Sequence, residues 1–225
     1  MTNNESKNNS QREIETEQET FWRGNFGDNY SSRNDFAALA RANTHFFGMI
    51  FSHLGRPPCK VVELGPNIGL NLAAIKNICP STKTVGIEIN SSAHSRLVNS
   101  NSCDLAINQS LLTFDAKKNA GELSFTKGVL IHVSPEKLEL AYSQLYNCST
   151  KFIMVCEYYS PKPLSIEYRG QSEKLFKRDF ASDMLDLYPD LSLKAYGFLY
   201  HRDNIFPQDD LTWFLMEKSN QNIDN

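Results

Sequence analysis

The chain has 225 residues, 40% of them hydrophobic and 22% charged, close to ordinary globular usage, so one folded domain with a short extension is expected. Its 23 Lys and Arg against 26 Asp and Glu leave a net charge of −3 with no basic cluster, which excludes a protein that tracks nucleic-acid phosphates or a polybasic membrane-surface protein. The longest apolar runs, such as 152–156, are far shorter than a bilayer span, and the first residues carry no apolar signal core, so a cytoplasmic protein acting on small molecules is expected.

Residues 1–19 are Asn, Ser, Gln, Glu and Thr with little to bury, and a disordered tail is expected there, as over 219–225. The composition changes at Phe21-Trp22-Arg23-Gly24-Asn25-Phe26-Gly27-Asp28-Asn29-Tyr30, an aromatic and glycine-rich run suited to a lid. Apolar positions from Phe36 to Leu54 recur at helical spacing, and Gly55-Arg56-Pro57-Pro58 stops that helix, so 20–58 reads as a lid followed by a helix. Strand-like and helix-like segments then alternate. Strands are expected at 60–64, 84–89, 105–112, 125–133 and 151–158, with helices at 69–78, 92–98, 135–146 and 177–187. Two final strands, 191–198 and 211–217, flank a Pro-containing loop and read as an antiparallel hairpin. This pattern is an α/β fold: a seven-stranded, Rossmann-like, mainly parallel sheet with helices on both faces. Five scattered cysteines with no C-x-x-C pair suggest reduced, mostly buried thiols, with neither a disulfide framework nor a metal site.

The segment Glu63-Leu64-Gly65-Pro66-Asn67-Ile68-Gly69-Leu70-Asn71 carries the chemistry. A buried strand runs into a turn whose two glycines let the backbone approach a ligand, and a helix follows. Glu88 closes the next strand, where a carboxylate can accept hydrogen bonds from ribose hydroxyls. A dinucleotide fold wants G-x-G-x-x-G; here Glu63 precedes E-x-G-x-x-x-G, and a carboxylate suits a cofactor with an ammonium and a sulfonium better than a pyrophosphate. S-adenosylmethionine is therefore the expected cofactor. Asn67 stands where the methyltransferase pattern has its middle glycine, and Asn is the side chain that best tolerates left-handed backbone.

These segments, with Arg33-Asn34, Gly128-Val129-Leu130-Ile131-His132-Val133-Ser134-Pro135, Tyr168-Arg169-Gly170, Leu175-Phe176-Lys177-Arg178-Asp179-Phe180 and the run from Tyr196 to Phe214, resemble the pseudaminic acid biosynthesis-associated methylases over about residues 20–218. The resemblance implies a class I S-adenosylmethionine-dependent methyltransferase domain at 59–218, acting on a nonulosonic acid sugar or its precursor, through oxygen or nitrogen. It also implies that Glu63, Gly65, Asn67 and Gly69 surround the methionine part of the cofactor, that Glu88 meets the ribose, that Ser110 and Leu111 flank the adenine, and that Tyr30 and Arg33 come over from the N-terminal segment.

For proton removal from an acceptor hydroxyl, His132 and Glu157 are the two candidate bases. The segment 160–179 reads as an acceptor-binding insertion, where Tyr168, Arg169, Lys174, Lys177 and Arg178 gather basic and aromatic groups suited to an acidic acceptor. Tyr158, Tyr159 and His201 are further acceptor candidates. A cofactor-binding partner of sugar-modifying enzymes without catalysis, and a nicotinamide-dependent oxidoreductase, are the competing readings.

Overall fold

The computed structural model describes residues 15–30, 36–168 and 171–219. Its main sheet has seven strands in the order β3-β2-β1-β4-β5-β9-β8. The first five in the chain, β1 (Lys60–Leu64), β2 (Lys83–Ile87), β3 (Leu105–Ile107), β4 (Gly121–Lys127) and β5 (Ser149–Glu157), run parallel. β9 (Thr212–Lys218) is antiparallel to both β5 and β8 (Leu191–Phe198), which gives the expected terminal hairpin.

Alternation along the strands divides the core. Val61, Phe125, Met154 and Trp213 pack with Phe46, Phe47 and Ile50 of α3 (Phe36–Leu54) and with Leu72 and Ile75 of α4 (Leu70–Ile78). Val62, Leu64, Ile153 and Val155 pack with Tyr142 and Leu145 of α7 (Leu138–Asn147) and with Phe180 and Met184 of α8 (Phe180–Leu187). A sheet covered on both faces needs apolar residues at successive positions, which is why β1 and β5 read as apolar runs. The strand order reverses at β1, which pairs with β2 on one side and β4 on the other, and a crevice opens there at the carboxyl ends of the strands.

Several expected boundaries change. The ordered N-terminal part starts before residue 20: Thr16 and Glu19 form a reciprocal capping box on α1 (Glu17–Arg23), and α2 (Asn25–Tyr30) follows. The third strand ends at Ile107, because Asn108 turns back to donate from Nδ2 to the Glu88 carbonyl at 2.8 Å. The fourth ends at Lys127, where Gly128 adopts φ +70° and the chain enters a 3-10 turn at Leu130–His132. A second 3-10 turn, Pro135–Lys137, precedes α7. The insertion at 160–179 contains a two-stranded hairpin, β6 (Leu164–Tyr168) and β7 (Gln171–Lys177). The helix expected from residue 177 starts at Phe180, since Lys177 pairs with Leu164 and Asp179 caps the helix by accepting from Ser182 N–H at 2.9 Å. Cysteines 148 and 156 are buried, whereas Cys59 is exposed, contrary to the expectation that most are buried; all five are free thiols. No helix of the described residues is long and apolar enough to cross a membrane.

Candidate active site

A cavity of about 510 Å³ occupies the crevice, between the carboxyl ends of β1, β2 and β4 and the helix α1 that crosses above them. Gly65, Asn67, Glu88, Ser110, Leu111, His132 and Tyr158 are on its wall, so the structure brings together residues spread over nearly a hundred positions of sequence.

The glycine loop is built as a tight cradle. Gly65, Asn67 and Gly69 all have positive φ, at +76°, +53° and +87°. Asn67 thus takes the left-handed conformation expected of it in place of a glycine. The Glu88 carboxylate, 6% exposed, accepts from Asn67 N–H and from Asn90 N–H, each at 2.8 Å, and so ties the loop to the end of β2. Burial raises the Glu88 pKa, and the Asn90 and Asn67 amides work against that rise.

Glu63 lies beneath the loop at 1% exposure, with Oε1 accepting from Asn71 Nδ2 at 2.6 Å. Its other oxygen, with Asn71 Oδ1, Asn67 Oδ1 and Asn43 Oδ1, is buried and without a hydrogen-bond partner among the described residues. The three asparagines are on the cavity wall, which makes this end rich in acceptors. Lys127, at the end of β4, is the cation there. Burial pushes the Glu63 carboxyl up to about 8, with the Asn71 hydrogen bond and Lys127 opposing.

That shift has a measurable consequence. With a pKa above its unfolded value of 4.5, Glu63 holds a proton in the folded state that the unfolded chain has released, so its contribution to stability is full below pH 4.5 and is lost as pH rises toward 8. Relative to Glu63→Gln, the ligand-free protein should lose on the order of 4 kcal/mol across that window, read from urea unfolding at stepped pH. Parallel curves for the two proteins would show that Glu63 is not protonated in the folded state.

His132 sits in the 3-10 turn after β4 with Nδ1 2.7 Å from the Lys174 carbonyl oxygen, and its ring is 4.6 Å from that of Trp22. Burial lowers its pKa to about 4, so the imidazole is neutral at pH 7. Glu157 is the other candidate. Its buried carboxylate accepts from Val129 N–H at 2.9 Å and Ile131 N–H at 3.4 Å, and it stands behind the turn that carries His132, off the cavity wall. Burial raises Glu157 to about 7.

The expected acceptor residues disperse. Tyr158 is on the wall with Lys177 Nζ 4.9 Å from its ring centroid, whereas Tyr159 turns away to Phe214, 6.1 Å between ring centroids. Arg178 pairs with Asp183 at 2.9 Å and His201 with Asp210 at 2.8 Å, both away from the cavity wall. Arg33 and Arg169 lie outside the described residues, as do the side chains of Tyr30 and Tyr168. Among the described residues, no group of three or more His, Cys, Asp or Glu could hold a metal ion.

The aromatic run expected as a lid lies in α1 and α2 beside the cavity, but the contacts that anchor it there were not read from the sequence. Ser110 Oγ donates to Glu19 Oε1 at 2.5 Å, and Asn90 Nδ2 donates to the Trp22 carbonyl, the Arg23 carbonyl and Asp28 Oδ1, so α1 and α2 are held across the Glu88 end of the cavity. The Thr16-x-x-Glu19 capping pattern was a signal that could have placed a helix in the stretch expected as a tail, but nothing local pointed to its partner Ser110, 91 residues away.

The reversed strand beside β5 and the glycine loop at the end of β1 define the Rossmann-like fold of class I methyltransferases. No protein-family model matches the chain, and no curated protein matches it by sequence. Among solved structures it is similar to magnesium protoporphyrin IX methyltransferase (ChlM) from Synechocystis PCC 6803 with bound S-adenosylmethionine, at 11% identity and a TM-score of 0.66 over 92% of this chain and 100% of that one. It is also similar to the 1,6-didemethyltoxoflavin-N1-methyltransferase of Burkholderia thailandensis, at 12% identity and a TM-score of 0.66 over 89% and 87%. A third is the plantazolicin methyltransferase BpumL, at 14% identity and a TM-score of 0.63 over 90% and 94%. At such identities the likeness is one of fold.

Proposed function

We propose that the protein is an S-adenosylmethionine-dependent methyltransferase acting on a small polar acceptor. The observation that carries this reading is the set of buried, partnerless oxygens on Glu63, Asn67, Asn71 and Asn43, next to Lys127 and beside the Glu88-anchored glycine loop. A buried oxygen without a donor is costly, and a ligand that brings donors relieves the cost. An ammonium fits the acceptor cluster, a carboxylate fits Lys127, and ribose hydroxyls fit Glu88. Ser110 and Leu111 then flank the adenine, with Arg33 and Tyr30 kept as expectations from the N-terminal segment.

When bound, the cofactor supplies a methyl group activated by its sulfonium. The remaining work falls to the chain. Glu157 positions the turn bearing His132; His132 takes the proton of an acceptor hydroxyl on its Nε2; and Trp22 keeps water from the ring. A neutral imidazole is ready to accept across the neutral range. Tyr158 lines the acceptor side. For the acceptor itself, the resemblance to the pseudaminic acid-associated methylases supports a nonulosonic acid-type sugar or its precursor, methylated on oxygen.

Calorimetric titration with S-adenosylhomocysteine tests the cofactor. Saturable binding is expected, with none for reduced nicotinamide dinucleotide; the reverse pattern, or binding of neither, would end the reading. Methyl transfer from labelled S-adenosylmethionine to nonulosonic acids, free and nucleotide-linked, tests the acceptor class, and His132→Gln should lower turnover about a hundredfold. A His132→Gln protein with full turnover would remove the histidine from the chemistry.

A further inference from the structure

Lys174 is not on the cavity wall, yet it meets two parts of the site at once. It lies in β7, on the hairpin inserted between β5 and α8. Its carbonyl oxygen is 2.7 Å from His132 Nδ1. A carbonyl only accepts, so Nδ1 carries the ring proton, and in the neutral ring Nε2 is then the acceptor.

The side chain of the same residue reaches the roof. Lys174 Nζ pairs with Glu17 Oε2 at 3.2 Å and stands 5.8 Å from the centroid of Phe21. The Lys174 side chain is only 12% exposed while that of Glu17 is 85% exposed, so the lysine stem lies against α1 and brings its ammonium to Glu17. Glu17 and Phe21 share α1 with Trp22, whose indole packs on the His132 ring. The insertion was expected to offer its cations to an acidic acceptor; this one is spent on the protein's own helix.

We propose that Lys174 is a positioning residue: its carbonyl holds His132 with the proton on Nδ1 and the lone pair on Nε2, and its ammonium, through Glu17, keeps α1 and Trp22 seated on that ring. The inference rests on His132 as the base proposed above. It makes the hairpin and the N-terminal helix parts of one device, in which the ring has its working tautomer and its cover together.

The test uses the full chain labelled with nitrogen-15, with His132 assigned by the signals lost in His132→Gln. Long-range proton–nitrogen correlation at pH 7 reads which ring nitrogen is protonated, and the upfield displacement of the ring protons reads the contact with the Trp22 indole. A neutral ring protonated on Nδ1 is expected. Lys174→Met and Glu17→Gln should each reduce the upfield displacement at least twofold, and the exchanged pair Glu17→Lys with Lys174→Glu should restore it. A ring protonated on Nε2 in the unaltered protein overturns the role of the carbonyl. Unchanged ring shifts in Glu17→Gln, a substitution at an exposed position that spares the fold, overturn the role of the ammonium even if Lys174→Met fails to fold. If the tautomer and the Trp22 contact are as stated but His132→Gln still turns over, it is the base that falls, and with it Lys174's part in the reaction.

Discussion

Replacing Glu88 by glutamine is expected to weaken S-adenosylhomocysteine binding by about two orders of magnitude, nearly as much as replacing it by alanine, although glutamine keeps the size and one oxygen of the carboxylate. The reason lies in what surrounds the group. Both Glu88 oxygens accept from main-chain amides, Oε2 from Asn67 and Oε1 from Asn90. Glutamine has one acceptor oxygen and one amide nitrogen that only donates, so in either orientation an N–H of the loop or of the α5 cap (α5, Ser91–Asn99) faces another donor. A buried donor left unpaired costs about 1–3 kcal/mol, and lost charge-assisted bonds to a ribose cost about as much again. Each 1.4 kcal/mol is a decade in affinity. Titration calorimetry on Glu88→Gln and Glu88→Ala, with thermal unfolding of each without ligand, separates the two effects. Binding by Glu88→Gln within threefold of the unaltered protein would mean that the carboxylate neither shapes the loop nor meets the ligand.

Where the sequence was legible, one local physical rule decided the matter. Apolar spacing marked α3 because its buried side, Phe46, Phe47 and Ile50, recurs at the helical period, and Pro57-Pro58 ended it without ambiguity. The loop after β1 was readable because positive φ leaves few residue types, and Asn67 was expected to adopt it. Boundaries went wrong where a distant partner made the decision. The apolar run after Phe125 looks like continued strand, but Glu157 captures the Val129 and Ile131 amides and winds that stretch into a turn. The hairpin at 164–177 carries charged and aromatic residues that read equally well as a binding surface; only its contacts to His132 and α1 reveal another use. For the base candidates His132 and Glu157, spacing cannot tell a side chain that faces a cavity from one that lies behind its wall.

The glycine loop allows a sharper test, because its two left-handed positions Asn67 and Gly69 should respond to substitution with very different magnitudes. Gly69→Ala is expected to destabilise the protein by about 2–5 kcal/mol, combining roughly 1–2 kcal/mol for a side chain in left-handed backbone with about 1–3 kcal/mol for overpacking. Its φ is +87°, and an added Cβ would stand 2.5 Å from Leu97 Cδ1 and 2.8 Å from Ser102 Oγ. Both contacts are side-chain ends, but withdrawal costs packing or a hydrogen bond, since Leu97 is wholly buried and Ser102 is hydrogen-bonded to Ser100 Oγ at 2.5 Å. Asn67→Gly removes a side chain from the same left-handed region, at φ +53°, and should change stability by no more than about 1 kcal/mol. The ligand should tell the two apart again. Asn67 Oδ1 is one of the partnerless oxygens on the cavity wall, so Asn67→Gly should leave the fold nearly unchanged while weakening S-adenosylhomocysteine several-fold. Denaturant unfolding and calorimetry on the two variants read both quantities. A Gly69→Ala protein as stable as its parent would show that the start of α4 can move away from Leu97, and the cradle would then be a consequence of ligand binding instead of a preformed feature of the chain.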